Sequence, residues 1–451
     1  MLAMNRKLVF ICGLLLGSCT YDQADSIGPE QNSKPFLGEI AWMHNYGGSG
    51  EDTPRAIIET ADGGYAIFGF SNSMDGHLDS KTTPVNDYWL VRTNVDGNVL
   101  WSKTYGGSKD DRGQSVIQTS DGGFAITGYA MSDDGDASNN EGFHDNWILK
   151  LDGQGTIEWE QSFGFSGHDH SYDIVQSADG GYFFTGFLDI TLAKADGYTD
   201  KSYSLTRHGV GEFWGTKLDA QGRLQWRNYF GGTNNDRAHA VVTSHDGGFV
   251  MAGFSESDDF DVSNSRGSYD FWVVKIDALG DLVWERSYGG TGIDIAQDIA
   301  KTEDGGYVIT GSTISTDGDI SMNHGESDIW VIKIDNNGNL IWEKTYGGLR
   351  FDAAEGVRPA SDGGFILSGN SKSEDQDLTM NAGENDIWLL KIDSRGNLVW
   401  QQTFGGSDLD YGFDALESSD GSLLLVGESI STDFNTLENK GLTDLVFLKI
   451  E

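Results

Sequence analysis

An aromatic residue followed by glycine opens a turn seven times in this chain, at Tyr46, Tyr105, Phe163, Phe230, Tyr288, Tyr346 and Phe404, in steps of 59, 58, 67, 58, 58 and 58 residues. Six residues after each start stands an Asp: Asp52, Asp111, Asp169, Asp236, Asp294, Asp352 and Asp410. Sixteen after each start stands another, opening an Asp-Gly-Gly or Asp-Gly-Ser turn, from Asp62 to Asp420. Offsets held through seven copies mean one supersecondary unit packed against copies of itself.

One copy reads as four strands. The stretch ahead of "SDGG" is a short strand a, "FILSGN" is b, "DIWLLKID" is c and "NLVWQQTF" is d, with glycine turns between a and b and between c and d. No helical periodicity follows the N-terminal segment. Strand c is almost continuously apolar, so both faces of its sheet need cover. Four-stranded antiparallel sheets covered on both faces and repeated seven times predict an all-β fold, a single seven-bladed β-propeller. The last copy stops at "DLVFLKIE", a strand c, and "FLGEIAWMHNYGG" near the start is a strand d with nothing before it. The N-terminal strand therefore completes the last blade and closes the ring, which removes both open edges.

The 13 Trp are all placed by the repeat: seven in strand d, six in strand c, with Val446 in the seventh slot. In each of the six blades with two Trp, the pair stands 12 residues apart. That spacing predicts that they face each other across strands c and d and fill the space between blades. The repeated Asp residues read as turn and backbone caps, because a carboxylate in every blade serves the scaffold.

The segment "KIDNNGNLIW" is similar to the repeat of quinoprotein-like propellers. The whole unit, with "DGGY", "DIW.IK.D..GN" and "W...YGG", resembles the repeats of bacterial exported and lipid-anchored β-propeller proteins. The resemblance covers residues 36–451 and implies the fold, with an Asp, a glycine turn and the strand-d Trp locking neighbouring blades. It implies little about function. The vicinal cysteine pair frequent in quinone enzymes is absent, so redox chemistry is not carried over.

The first 18 residues read as a lipoprotein signal peptide. Arg6 and Lys7 precede an apolar run, Leu8 to Leu16, too short to span a bilayer. "LGSC", Leu16 to Cys19, resembles the lipobox, in which Cys19 is lipidated. Residues 19–35 then form a flexible tether and residues 36–451 the propeller. Cleavage leaves Cys19 as the single cysteine, so the mature chain has no internal disulfide. The expected location is the bacterial outer membrane, with the lipid as the membrane contact. The formal charge of −40 repels nucleic acid and suits a soluble, monomeric folded part.

The short a–b and c–d turns fall on one face of the ring; the d–a and long, acidic b–c loops fall on the other, where binding is expected. Four b–c loops share an Asp-x-Asp pattern: Asp134 and Asp136, Asp259 and Asp261, Asp317 and Asp319, Asp375 and Asp377. That spacing can offer oxygens to calcium, although the distal Glu of an EF-hand is missing. Blade 3 departs from the pattern. Its b–c loop carries nine extra residues and, in an acidic chain, Tyr198, Lys201, Arg207 and His208. Its leading turn reads "FGFSGHDH", giving His168, Asp169 and His170, with His144 approaching from blade 2. The blade 3 residues are the predicted ligand-binding set: His168, Asp169, His170, Tyr198, Lys201, Arg207 and His208. No catalytic motif is present. The function expected is a binding scaffold for a protein or glycan partner of the envelope. The alternative is a carbohydrate-active enzyme or a calcium-dependent glycan-binding protein, with its site at the channel mouth.

Overall fold

The computed structural model describes residues 36–165, 167–188, 211–378, 380–434 and 439–451. The predicted signal peptide, the predicted tether with Cys19, and Tyr198, Lys201, Arg207 and His208 lie outside the described residues. The propeller body is Gly38–Glu451.

It consists of seven four-stranded antiparallel sheets. Blade 1 runs β2 (Asp52–Glu59), β3 (Tyr65–Ser71), β4 (Asp87–Thr93) and β5 (Val99–Tyr105), and blades 2 to 6 repeat the order. Blade 7 takes β26 (Asp410–Glu417), β27 (Leu423–Ser429) and β28 (Asp444–Ile450) from the end of the chain and β1 (Ile40–Tyr46) from its start. The predicted closure is present: Trp42 pairs with Lys449, Met43 with Leu448 and Asn45 with Val446. Glu39 and Glu451 add reciprocal backbone bonds of 3.0 and 2.9 Å beyond the strand ends. The first strands of successive blades pack on one another around the axis.

Register corrects the expected placement of the Trp pairs. On β4 and β5, Trp89 pairs with Thr104 and Trp101 with Arg92. Trp89 and Arg92 are three residues apart on one strand, so the two indoles project from opposite faces of the blade. Each indole therefore meets a partner from the next blade. Trp101 of blade 1 joins Trp147 of blade 2 in one core, and Trp342 joins Trp388 in another. Seven such cores fill the seven junctions. The strand-c Trp residues are fully buried and the strand-d ones half-buried.

The Asp-Gly turns do more than cap themselves. Gly122 takes φ 85°, as such a turn requires. Asp121 accepts the Thr119 hydroxyl and also pairs with Lys150 Nζ at 3.0 Å. Lys217–Asp179 (2.9 Å), Lys275–Asp246 (2.7 Å), Lys333–Asp304 (2.6 Å), Lys391–Asp362 (3.0 Å) and Lys449–Asp420 (2.6 Å) repeat the pair, and blade 1 substitutes Arg92–Asp62. A stem buried in strand c thus carries its cation out to the turn carboxylate.

Candidate functional site

Each first strand contains one β-bulge at the same place, nine residues after the aromatic that starts the unit. A bulge leaves one residue unpaired and re-aims its side chain. Here the bulged residues line the channel. Blades 1 to 4 contribute Arg55, Gln114, Tyr172 and His239; blades 5 to 7 contribute Gln297, Glu355 and Phe413. They border a cavity of about 340 Å³. Six different side-chain types occupy seven equivalent positions, within a scaffold whose neighbouring positions repeat.

The residue after the bulge is Asp in three blades, where it ties blades together. Asp173 accepts the Val241 amide at 2.9 Å, Asp298 the Val357 amide at 2.8 Å and Asp414 the Ile57 amide at 3.1 Å. Arg358 donates to Asp414 from Nε (3.1 Å) and from its terminal nitrogen (2.8 Å). Burial pushes Asp298 up to about 7 despite the pull of Arg358, and pushes Glu355 up to about 7 despite Arg55. Burial also pulls His239 down to about 4, and its Nδ1 stands 2.9 Å from the Ala296 carbonyl. Arg55 lies over the Phe413 ring, 4.4 Å from its centre.

A second feature stands at the junction of blades 2 and 3. An isolated parallel bridge joins His144 to His168, equivalent to Tyr269–Ile293 and Asn385–Leu409 at other junctions. The His144 carbonyl accepts the Asp169 amide at 2.8 Å, which fixes the bridge. His144 Nδ1 is 3.0 Å from His170 Nε2 and 3.0 Å from His168 Nδ1. The His170 ring stacks on Tyr129, 3.8 Å between centres at 11°, and His168 stacks on Phe143. His170 Nδ1 is 3.4 Å from the Tyr172 hydroxyl, so the cluster touches the channel ring. Burial pulls His144 down to about 4 and His170 to about 2, and the neighbouring histidines add to both shifts. Of the predicted set, the fold thus brings His168 and His170 to His144. Asp169 does not join them: it is fully buried and accepts the Phe165 amide at 2.6 Å.

The eight Asp residues of the acidic loops turn toward their own blades. In blade 2, Asp136 accepts the Gly106 amide (3.3 Å), Asp111 that of Gly107 (3.0 Å), Asp134 that of Ser108 (2.8 Å) and Ser132 that of Lys109 (3.0 Å). Asp259 and Asp261, Asp317 and Asp319, and Asp375 and Asp377 do the same in blades 4 to 6. A Cβ on Gly107 would meet the Asp134 carboxylate at 2.4 Å, so the second glycine is required by this close approach. Among the described residues, the three histidines are the one group of three or more His, Cys, Asp or Glu side chains positioned to share an ion.

The sequence reading passed over the channel ring. Its signal was the residue that failed to repeat, nine positions into each unit, beside a small residue that did: Pro54, Gly113, Ser171, Ala238, Ala296, Ala354 and Gly412.

No family model matches the chain. Regulatory protein FlaEY of Caulobacter vibrioides (strain ATCC 19089 / CIP 103742 / CB 15) is 28% identical over 178 residues, 36% of this chain and 18% of FlaEY's own length. Among solved structures, the Pan2 WD40 domain of Neurospora crassa superposes with a TM-score of 0.48 at 11% identity, covering 89% of both chains. YCF48 bound to D1 peptide gives 0.44 at 12% identity, covering 91% of this chain and 94% of the other. Sqt1 from Chaetomium thermophilum gives 0.42 at 10% identity, covering 90% and 100%.

Proposed function

We propose that this chain is a lipid-anchored β-propeller of the bacterial envelope, on the outer membrane, that binds a protein or glycan partner at its channel mouth without turning it over. The observation that carries this reading is the ring of bulged residues. Positions that hold the scaffold are repeated, whereas the seven that face the channel carry Arg, Gln, Tyr, His, Gln, Glu and Phe. The lining is predominantly polar and charged, with Tyr172 and Phe413 as its aromatic surfaces, which suits a polar partner held by hydrogen bonds. Arg112 and Arg237 occupy the positions equivalent to His170 in the two flanking blades, so this sector of an acidic molecule favours an anionic or polar partner.

Capture from envelope extracts and a glycan array, using the full chain against Arg55→Ala and Glu355→Gln, test the reading. Binding that both variants lose while keeping the wild-type melting curve supports it. A partner retained equally by both, or a glycan converted to product, overturns it. Lipidation is read separately: labelled palmitate is incorporated by the wild type and lost in Cys19→Ser.

A further inference from the structure

We propose that His144, His168 and His170 form a three-histidine site for a zinc-type divalent cation, with one coordination position left open. The reading stands independently of any partner in the channel.

The arrangement of the nitrogens is the first argument. A neutral imidazole nitrogen offers one in-plane hydrogen or one lone pair and so serves one partner well. His144 Nδ1 has two, both at 3.0 Å. Neutral rings leave one of these contacts poorly matched. A cation between the three nitrogens engages all three lone pairs together. Tetrahedral zinc with bonds of about 2.0–2.1 Å holds its nitrogens about 3.3 Å apart. The cluster is near that spacing, with all three donors inside 4.8 Å, so small side-chain rotations complete it.

Preorganisation is the second argument. The backbone bridge fixes His144 against His168, and strand β10 (Asp169–Gln176) fixes His170. Tyr129 holds the His170 ring from one face. Metal-bound imidazoles usually donate their other N–H to an oxygen, and His170 Nδ1 faces the Tyr172 hydroxyl at 3.4 Å. His168 is exposed and gives the ion a way in. Arg112 and Arg237 both oppose a cation here; Asp110 accepts the Arg112 Nε–H at 2.8 Å and offsets one of the two charges, whereas Arg237 Nε donates to the neutral Asn235 side-chain amide oxygen at 3.0 Å. Three imidazoles and no carboxylate select zinc, copper, nickel or cobalt over calcium and magnesium.

The test uses the full chain without a histidine tag, in millimolar Ca²⁺ and Mg²⁺ to occupy weak oxygen sites. Zn²⁺ alone is titrated calorimetrically, and Co²⁺ alone by its visible absorption. The expected result is one Zn²⁺ per chain and the intense cobalt bands of a four-coordinate site. His168→Ala, exposed and therefore expected to fold, weakens binding by about 100-fold, and Tyr172→Phe, a positioning variant, by about 10-fold. His245→Ala, outside the cluster, leaves it unchanged. Unaltered affinity in a folded His168→Ala chain, or a wild type that binds no Zn²⁺ above the His168→Ala background, overturns the proposal.

Discussion

Blades 2 and 3 carry the same turn in two chemistries. In blade 2 four successive amides, Gly106 to Lys109, are each taken by a side chain of the same blade. The turn is saturated and has little left for a ligand. In blade 3 Asp169 keeps its amide, but the second glycine becomes Phe165, which is buried under the Arg227 guanidinium, 5.6 Å from its ring centre. Beyond it stand His168 and His170, each with a ring nitrogen 3.0 Å from His144 Nδ1. One backbone frame therefore hosts a sealed turn or a donor cluster, depending on which side chains fill fixed offsets.

The largest effect is expected where both blades depend on the same support. Trp388→Ala empties a fully buried indole site at a junction and should cost about 3–5 kcal/mol in a urea melt; the half-buried Trp342 should cost less. Equal costs would remove the distinction between the two Trp sets. Next comes the sealed turn. Asp111→Ala strands the Gly107 and Ser132 amides and should cost about 2–3 kcal/mol. Asp134→Ala, at the exposed rim, should cost about 1 kcal/mol or less. If Asp134 cost as much as Asp111, the turn would not be held from within.

A pH effect follows from the buried carboxylates. Burial pushes Asp87 up to about 7, and Asp145, Asp236 and Asp386 up to about 6. The native pKa lies above the unfolded value near 4, so the folded chain binds the extra proton. That stability is fully present below about pH 4 and is lost as pH rises through about 6 to 7. The turn carboxylates act in the opposite sense. The Ser177 hydroxyl and then the Lys217 cation hold Asp179 down to about 2, so its contribution is lost only in strong acid. The melting temperature should therefore rise as pH falls from 8 to 5 and drop again below about 4. A flat profile between pH 8 and 5 would show that the buried acids ionise freely. The smallest effect is expected at His168→Ala: exposed, it should change stability by no more than about 0.5 kcal/mol.

What the sequence showed and hid follows from the same contrast. Blade number, strand order and ring closure were legible because they are periodic, and periodicity is carried by residue type. The face on which each Trp lies was not, because one extra residue on β5, Leu100, opposite Arg92 and Thr93, shifts the pairing with β4. The channel ring was hidden for a related reason: Arg55 and Glu355 share one offset in the repeat, but only the bulge in each first strand turns that position toward the channel. The Lys–Asp pairs were within reach, since Asp246–Lys275, Asp304–Lys333 and Asp362–Lys391 all stand 29 residues apart. His144 and His168 are 24 apart on different blades, and only the bridge brings their rings together.

The shared last blade also sets an order in time. Asn45 reaches Asp444 across 399 residues of chain, so strand β1 is made first and finds its partner last. Loop-closure entropy for that contact must be met before its hydrogen bonds repay it. Until β28 is complete, six blades can form locally while both ends of the ring stay open as unpaired edges, the state most prone to pairing with another chain. A chain interrupted anywhere before Asp444 is held in that state, because the strand it waits for does not exist.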